Sequence, residues 1–214
     1  MRDQSNVLDF LMSQPNVMPR LNDRVLSTAT RYLDMTGGGA HGTKDVQLLS
    51  ARDLTIRLAD STSYVASASS TKKLIPISTW LVADVTNPAG RQLVRNTIDY
   101  VRNSRLMRLG LVHNSGSLLT SHQVEYVEML QLALQTNDIR LLDNLLKEEN
   151  ALALMDGSKS SNDFGLALLD GNPVDLELHQ LFSRRALEFL PGQRGLVING
   201  RVIGNSALIA LHGC

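Results

Sequence analysis

The sequence holds one cysteine in 214 residues, Cys214 at its C-terminus. A single sulfur can neither close an intramolecular disulfide nor run dithiol redox chemistry, which needs a pair. Aromatic residues are 4% of the chain, which leaves few platforms for stacking bases. Neither sign of charge dominates: 21 basic and 21 acidic residues cancel. No electrostatic footprint therefore points to nucleic acid or an anionic membrane, and neither is expected as a partner. Long apolar runs are missing as well. None approaches the roughly 20 residues of a membrane span, and the opening MRDQSNVLDF lacks the apolar stretch of a signal peptide. No Asn-x-Ser/Thr sequon with a permitted middle residue occurs.

What is present is an ordinary globular composition, 43% hydrophobic and 20% charged, long enough for one large domain or two small ones. Residues 1–24 read as a lead-in, apolar at Val7, Leu8, Phe10 and Leu11 and ended by Pro15 and Pro19. Tyr32-Leu33 fits a short strand. Residues 36–43 form a Gly-rich loop. In residues 46–58, Leu54, Ile56 and Leu58 alternate as on a half-buried strand. The Ser/Thr/Ala/Lys stretch 61–73 has nothing to bury and reads as a mobile loop.

The middle of the chain is more specific. Residues 77–85 (ISTWLVADV) predict a strand, and Asn87-Pro88 predicts a helix cap with proline at the first helical position. Leu93, Val94, Thr97, Ile98 and Val101 then share one face. Residues 106–113 predict a second strand, so a parallel βαβ unit is expected. Residues 121–155 read as helical, with the stripe Val124, Val127, Leu130, Leu134, a turn at Asn137-Asp138, and the stripe Ile139, Leu142, Leu145, Leu146. Residues 157–162 are a polar break. Residues 174–190 are amphipathic, with Val174, Leu178, Leu181, Phe182 and Phe189 inward and Pro191 as terminator. Asn199-Gly200 between residues 195–198 and 201–203 predicts a type I′ hairpin.

Motifs that could carry chemistry have plainer readings. Gly37, Gly38, Gly39, Gly42 and Thr43-Lys44 carry the wrong order for a phosphate loop, which needs Gly-Lys-Ser/Thr opening a helix. His41, His113, His122, His179 and His212 lack ligand spacing, although His113 and His122 are placed where they could meet. Glu148-Glu149 and the pair Asp170, Asp175 read as solvated charge and helix capping. Ser67 to Ser70 has no nucleophile-elbow glycines and reads as loop.

An ordered set of residues carries a resemblance. Pro19-Arg20-Leu21-Asn22 and Arg31-Tyr32-Leu33-Asp34 resemble the opening of a luminal thioredoxin-like domain of UDP-glucose:glycoprotein glucosyltransferases. Trp80, Asp84, Pro88 and Gly90-Arg91-Gln92-Leu93 resemble its central strand and helix start. Gly192-Gln193-Arg194 and Asn199-Gly200-Arg201-Val202-Ile203-Gly204 resemble its closing hairpin. Two departures stand out. Where redox thioredoxins carry Cys-x-x-Cys, residues 85–90 (VTNPAG) hold no sulfur. Pro191 lies about one residue from the place of their cis-proline.

The resemblance implies an α/β thioredoxin-like fold, a central mixed sheet made of βαβ and then a ββ hairpin, with a helical insertion at about residues 121–156. It implies a domain over 25–204 behind the 1–24 lead-in, and a divergent or truncated tail at 205–214, apolar at residues 207–211. It implies a non-catalytic module of the folding-sensor region in the endoplasmic reticulum lumen. Such a module recognises misfolded glycoproteins so that the parent enzyme can glucosylate their N-glycans; the alternative is a spacer packed against sister domains. No two aspartates are two apart, so no Asp-x-Asp transferase site is present. No catalytic, cofactor-binding or metal residue is expected in this chain; UDP-glucose and a divalent cation belong to a catalytic domain elsewhere in the parent. Leu130, Leu132, Leu134, Leu141, Leu142, Leu145, Leu146, Leu152 and Leu154 exceed one face per helix. That surplus reads first as core and interdomain packing. The functional reading is that part of it, with Met129 and Met155 as adaptable contacts, binds exposed apolar segments of misfolded clients, with no client-binding residue assigned.

Overall fold

The computed structural model describes residues 31–33, 45–66, 75–104, 106–166 and 174–204. The chain divides into two compact units, Met1–Tyr32 and Leu33–Cys214. The described part of the first is a two-residue strand, β1 (Arg31–Tyr32), next to the place where Tyr32-Leu33 predicts one. The second unit carries all that follows. The Gly-rich loop, the residues from Ser67 to Ser70, and Asp170, His41 and His212 lie outside the described residues.

The first departure from expectation is at residues 46–58. These form a 3-10 turn (Val46–Leu48) and then helix α1 (Ala51–Ser61), not a strand. Ser50 caps α1 by accepting from the Asp53 amide at 3.1 Å, a local bond that favours a helix start. Leu54, Thr55 and Leu58 are buried while Ile56 is half-buried, the spacing of a helix rather than of alternation. The second departure is at the start of the expected loop 61–73, of which residues 67–73 lie outside the described residues. Ser61 ends α1, and Val65–Ala66 is strand β2 with Val65 fully buried.

Strand β3 (Ile77–Ala83), helix α2 (Pro88–Asn103) and strand β4 (Met107–His113) make the parallel βαβ unit. Asn87 accepts from the Ala89 amide at 2.9 Å, and Pro88 occupies the first turn, as predicted. Helix α3 (Ser121–Gln135) opens with a Thr120/Gln123 capping box. Asn137 then takes a left-handed φ of 53°, and Asp138 caps α4 (Ile139–Leu145) before α5 (Glu148–Met155). Helix α6 (Leu176–Leu181) widens into a π-type turn at Phe182–Ala186. Glu188, at φ 55°, turns the chain before Pro191 does.

Strands β5 (Gly195–Ile198) and β6 (Arg201–Gly204) close the chain as the predicted hairpin, with positive φ at Asn199 and Gly200. Asn199 also reaches beyond its turn. Its Oδ1 accepts from the Ser78 amide at 2.8 Å, and its Nδ2 donates to the Pro76 carbonyl at 3.0 Å. Alanine at position 199 would lose both bonds and keep the left-handed backbone, so Asn199→Ala is expected to cost about 2 kcal/mol. A urea midpoint shift at constant m-value would measure it.

Within the second unit the sheet order is β6-β5-β3-β4-β2, parallel at β3/β4 and antiparallel elsewhere. Both faces are covered, so the centre of β3 reads as a continuous apolar run. Leu81, Leu109 and Leu111 pack with Val94, Ile98 and Val101 of α2 and with the helical block. Trp80, Val82 and Val112 face α1 and α6 through Leu54, Leu58, Leu178 and Phe182. Trp80 meets Phe182 edge-on at 5.5 Å and donates to the Tyr64 hydroxyl at 2.7 Å.

The surplus of leucines in the helical block has a structural explanation. Leu130, Leu134, Leu142, Leu145, Leu146 and Leu154 are core, and Leu132 and Leu141 are half-buried. Met129 is completely buried and cannot be an adaptable surface contact. Leu152, 51% exposed, is the one leucine of the set that is largely open to solvent. The stripes exceed one face per helix because α3 packs on the sheet and on α4 and α5 together.

Candidate functional site

The ends of β3 and β4 carry a network of buried polar side chains, where redox thioredoxins keep their dithiol. Asp84 follows β3 and is buried. Its Oδ1 accepts from the Thr86 amide at 3.0 Å, and its Oδ2 accepts from the Gly116 amide at 2.9 Å. One carboxylate therefore fixes both the loop entering α2 and the loop leaving β4. Gly90 lies against this corner: a Cβ there would fall 1.8 Å from the Asp84 carbonyl oxygen.

Arg91, only 1% exposed, turns inward beneath the same loop. Its guanidinium donates to the Val85 carbonyl at 3.1 Å and the Thr86 carbonyl at 2.8 Å. It also forms a two-pronged ion pair with Glu148, at 3.1 and 2.6 Å. Glu148 is thus no freely solvated charge, as its neighbour Glu149 suggested. Its location at the start of α5 joins the helical insertion to the loop after β3. Sequence reasoning quoted Arg91 within the resemblance but missed this role; an arginine one turn into a helix has no local signature of burial.

The histidines also pair otherwise than expected. His122 is exposed near Gly157, whereas His113 meets His179 of α6. The His113 amide donates to His179 Nδ1 at 3.2 Å, and His113 Nδ1 accepts from the Val85 amide at 3.4 Å. Burial pushes the His113 ring down to about 4 against the pull of Asp84. Burial, helped by His113, pushes His179 down to about 3. Among the described residues, strand β2 pairs with β4 at Arg108 and Leu109. Farther along that edge, Gln131 donates to the Leu111 carbonyl at 2.8 Å and His179 takes the His113 amide. Side chains thus close an edge that would otherwise offer unpaired groups to another strand. Among the described residues no three potential ligands converge on a point where a metal would sit.

The rim above this buried floor carries exposed apolar residues among polar ones. The loops 114–120 and 187–194 touch where Gly116 and Gly192 pass each other; a Cβ on Gly192 would stand 3.2 Å from the Gly116 Cα. Asn114 fastens the second loop by donating to the Leu190 and Gln193 carbonyls, both at 2.9 Å. On these two loops Leu118 is 98% exposed and Leu190 is 72% exposed, with Pro191 open beside it. The peptide bond before Pro191 is trans, as are all those described. Neither leucine attracted notice in the sequence, because each stands alone in a loop without periodicity.

UDP-glucose:glycoprotein glucosyltransferase 1 of Rattus norvegicus is 30% identical over 93% of the chain, and the Homo sapiens protein of that name is 29% identical over the same share. The Drosophila melanogaster UDP-glucose:glycoprotein glucosyltransferase is 29% identical over 94%. The chain spans 14% of the length of each. Among solved structures, Proteus mirabilis ScsC in a transitional conformation matches with a TM-score of 0.51 at 13% identity, covering 98% of this chain and 91% of that one. The Trx3 domain of UGGT, in a detergent-bound form, matches with a TM-score of 0.45 at 18% identity, over 71% of this chain and 95% of that one. The mixed sheet, its βαβ and ββ halves and a family model matching residues 46–207 lead to one conclusion: the chain belongs to the thioredoxin-like domain family.

Proposed function

We propose that this chain is a non-catalytic, client-recognising module of a UDP-glucose:glycoprotein glucosyltransferase, acting in the endoplasmic reticulum lumen. Its task is to engage misfolded glycoproteins so that a catalytic domain elsewhere in the parent, with its UDP-glucose and divalent cation, can glucosylate their N-glycans. The observation that carries this reading is the exposed apolar residues Leu118, Leu190 and Pro191 on the rim over a strand end that holds no sulfur. Two exposed leucines on touching loops suit contact with the apolar segments that misfolding uncovers, and VTNPAG in place of a dithiol leaves no thiolate for exchange chemistry. A spacer role is the second reading. The chain is 14% of its relatives' length, so sister domains are available to cover the same leucines.

Titrating the isotope-labelled chain with a misfolded glycoprotein and with its native form, read by amide NMR, separates the two. Shifts with the misfolded form alone, centred on residues 114–120 and 187–194, are the expected result. A Leu118→Asp/Leu190→Asp variant should weaken that binding at least tenfold while its folded spectrum is retained. No shifts with either partner from a folded sample would favour the spacer.

A further inference from the structure

Two buried imidazoles serve this fold as hydrogen-bond acceptors. His113 Nδ1 takes the Val85 amide, and His179 Nδ1 takes the His113 amide. A ring that accepts through Nδ1 is neutral and carries its proton on Nε2. The two bonds run in series from the loop entering α2, through the end of β4, to α6. We propose that His113 and His179 form an acid-sensitive latch that holds this loop and α6 against the end of β4, and that protonating the rings opens it.

The geometry gives the reason. A proton added at Nδ1 turns each acceptor into a donor aimed at another donor, so neither bond survives protonation. Nor does the surrounding structure welcome the new charge. Among the described residues His113 Nε2 has no hydrogen-bond partner, and it is buried; a buried charge lacking partners is costly. The charged group facing His113 is Asp84 from the end of β3, while His179 faces His113 itself. The Asp84 oxygens are already engaged by the Thr86 and Gly116 amides.

The direction with pH follows. Both rings bind protons less readily in the folded chain than at their ordinary value of 6.5. Their contribution is therefore complete above pH 6.5 and is lost as the pH falls toward about 4 for His113 and about 3 for His179. Within that window each ring raises the unfolding constant about tenfold per pH unit.

Urea unfolding of the full chain between pH 6.5 and 5, with NMR of the histidine rings and amides carried down to about pH 3, where both rings take up protons, tests the latch. Both rings are expected to remain neutral at pH 5.5 while the unfolding constant climbs, and the Val85 and His113 amide signals should move together once the rings titrate. His179→Asn places an amide oxygen near the position of Nδ1 as an acceptor that does not titrate. It should remove the one ring's share of the pH slope. A slope unchanged in the folded variant overturns the proposal. If the variant does not fold, the wild-type titration decides alone: rings that titrate, at whatever pH, without moving either amide sink the latch.

Discussion

Gly90→Ala is expected to destabilise the chain by about 3 kcal/mol or more, near or above the upper end of what overpacking ordinarily costs. The added methyl would fall 1.8 Å from the Asp84 carbonyl oxygen and 2.7 Å from its carbonyl carbon. Both are backbone atoms, so no rotamer change relieves the clash. Helix α2 would have to back away from β3, and Asp84 holds two loops at that junction. Gly165 provides the control. It has a φ of 67°, but among the described residues a Cβ there would meet nothing within 4 Å. Gly165→Ala should thus cost only the left-handed backbone term, about 1 kcal/mol. Equilibrium urea unfolding of both variants compares crowding with conformation. A Gly90→Ala cost no larger than that of Gly165→Ala would mean that α2 does not depend on this close approach.

Removing the carboxylate of Glu148 is the second large effect. Breaking a buried ion pair by deleting one partner typically costs about 3–5 kcal/mol, because the other charge is left uncompensated. Here the Arg91 side chain is 2% exposed and that of Glu148 is 53% exposed. Water reaching the carboxylate side reduces the expected cost of Glu148→Ala to about 2–3 kcal/mol. Much of that cost is a stranded guanidinium rather than a lost attraction. The double variant Arg91→Met/Glu148→Ala should therefore be less destabilised than the sum of the two single variants, which a double-mutant cycle measures directly. Strict additivity would show that the two side chains do not act as a pair. Because Arg91 also holds the Val85 and Thr86 carbonyls, Arg91→Met should speed amide exchange in the loop entering α2.

The strand of residues 77–85, the cap at Asn87-Pro88, the face of α2 and the Asn199-Gly200 hairpin were all legible, because each is a local pattern with a local cause. Residues 46–58 show where local reading fails. Leu54, Ile56 and Leu58 satisfy a period of two, and Leu54, Thr55 and Leu58 satisfy a helical period. The Ser50 cap and a core formed with Phe182 and Leu178, far along the chain, select the helix. Val65 could not be recognised as core, since its burial depends on pairing with Leu109. The same holds for the site. Absence of a dithiol follows from composition alone, as one cysteine cannot make a pair. Which histidine meets His113, where Glu148 finds its cation and which leucines stay exposed are all decided by contacts between distant segments. Sequence by itself determined the order of elements, through periodicity, caps and turns acting over a few residues. Tertiary structure decided the partners, because burial and charge pairing depend on which surfaces the sheet brings together.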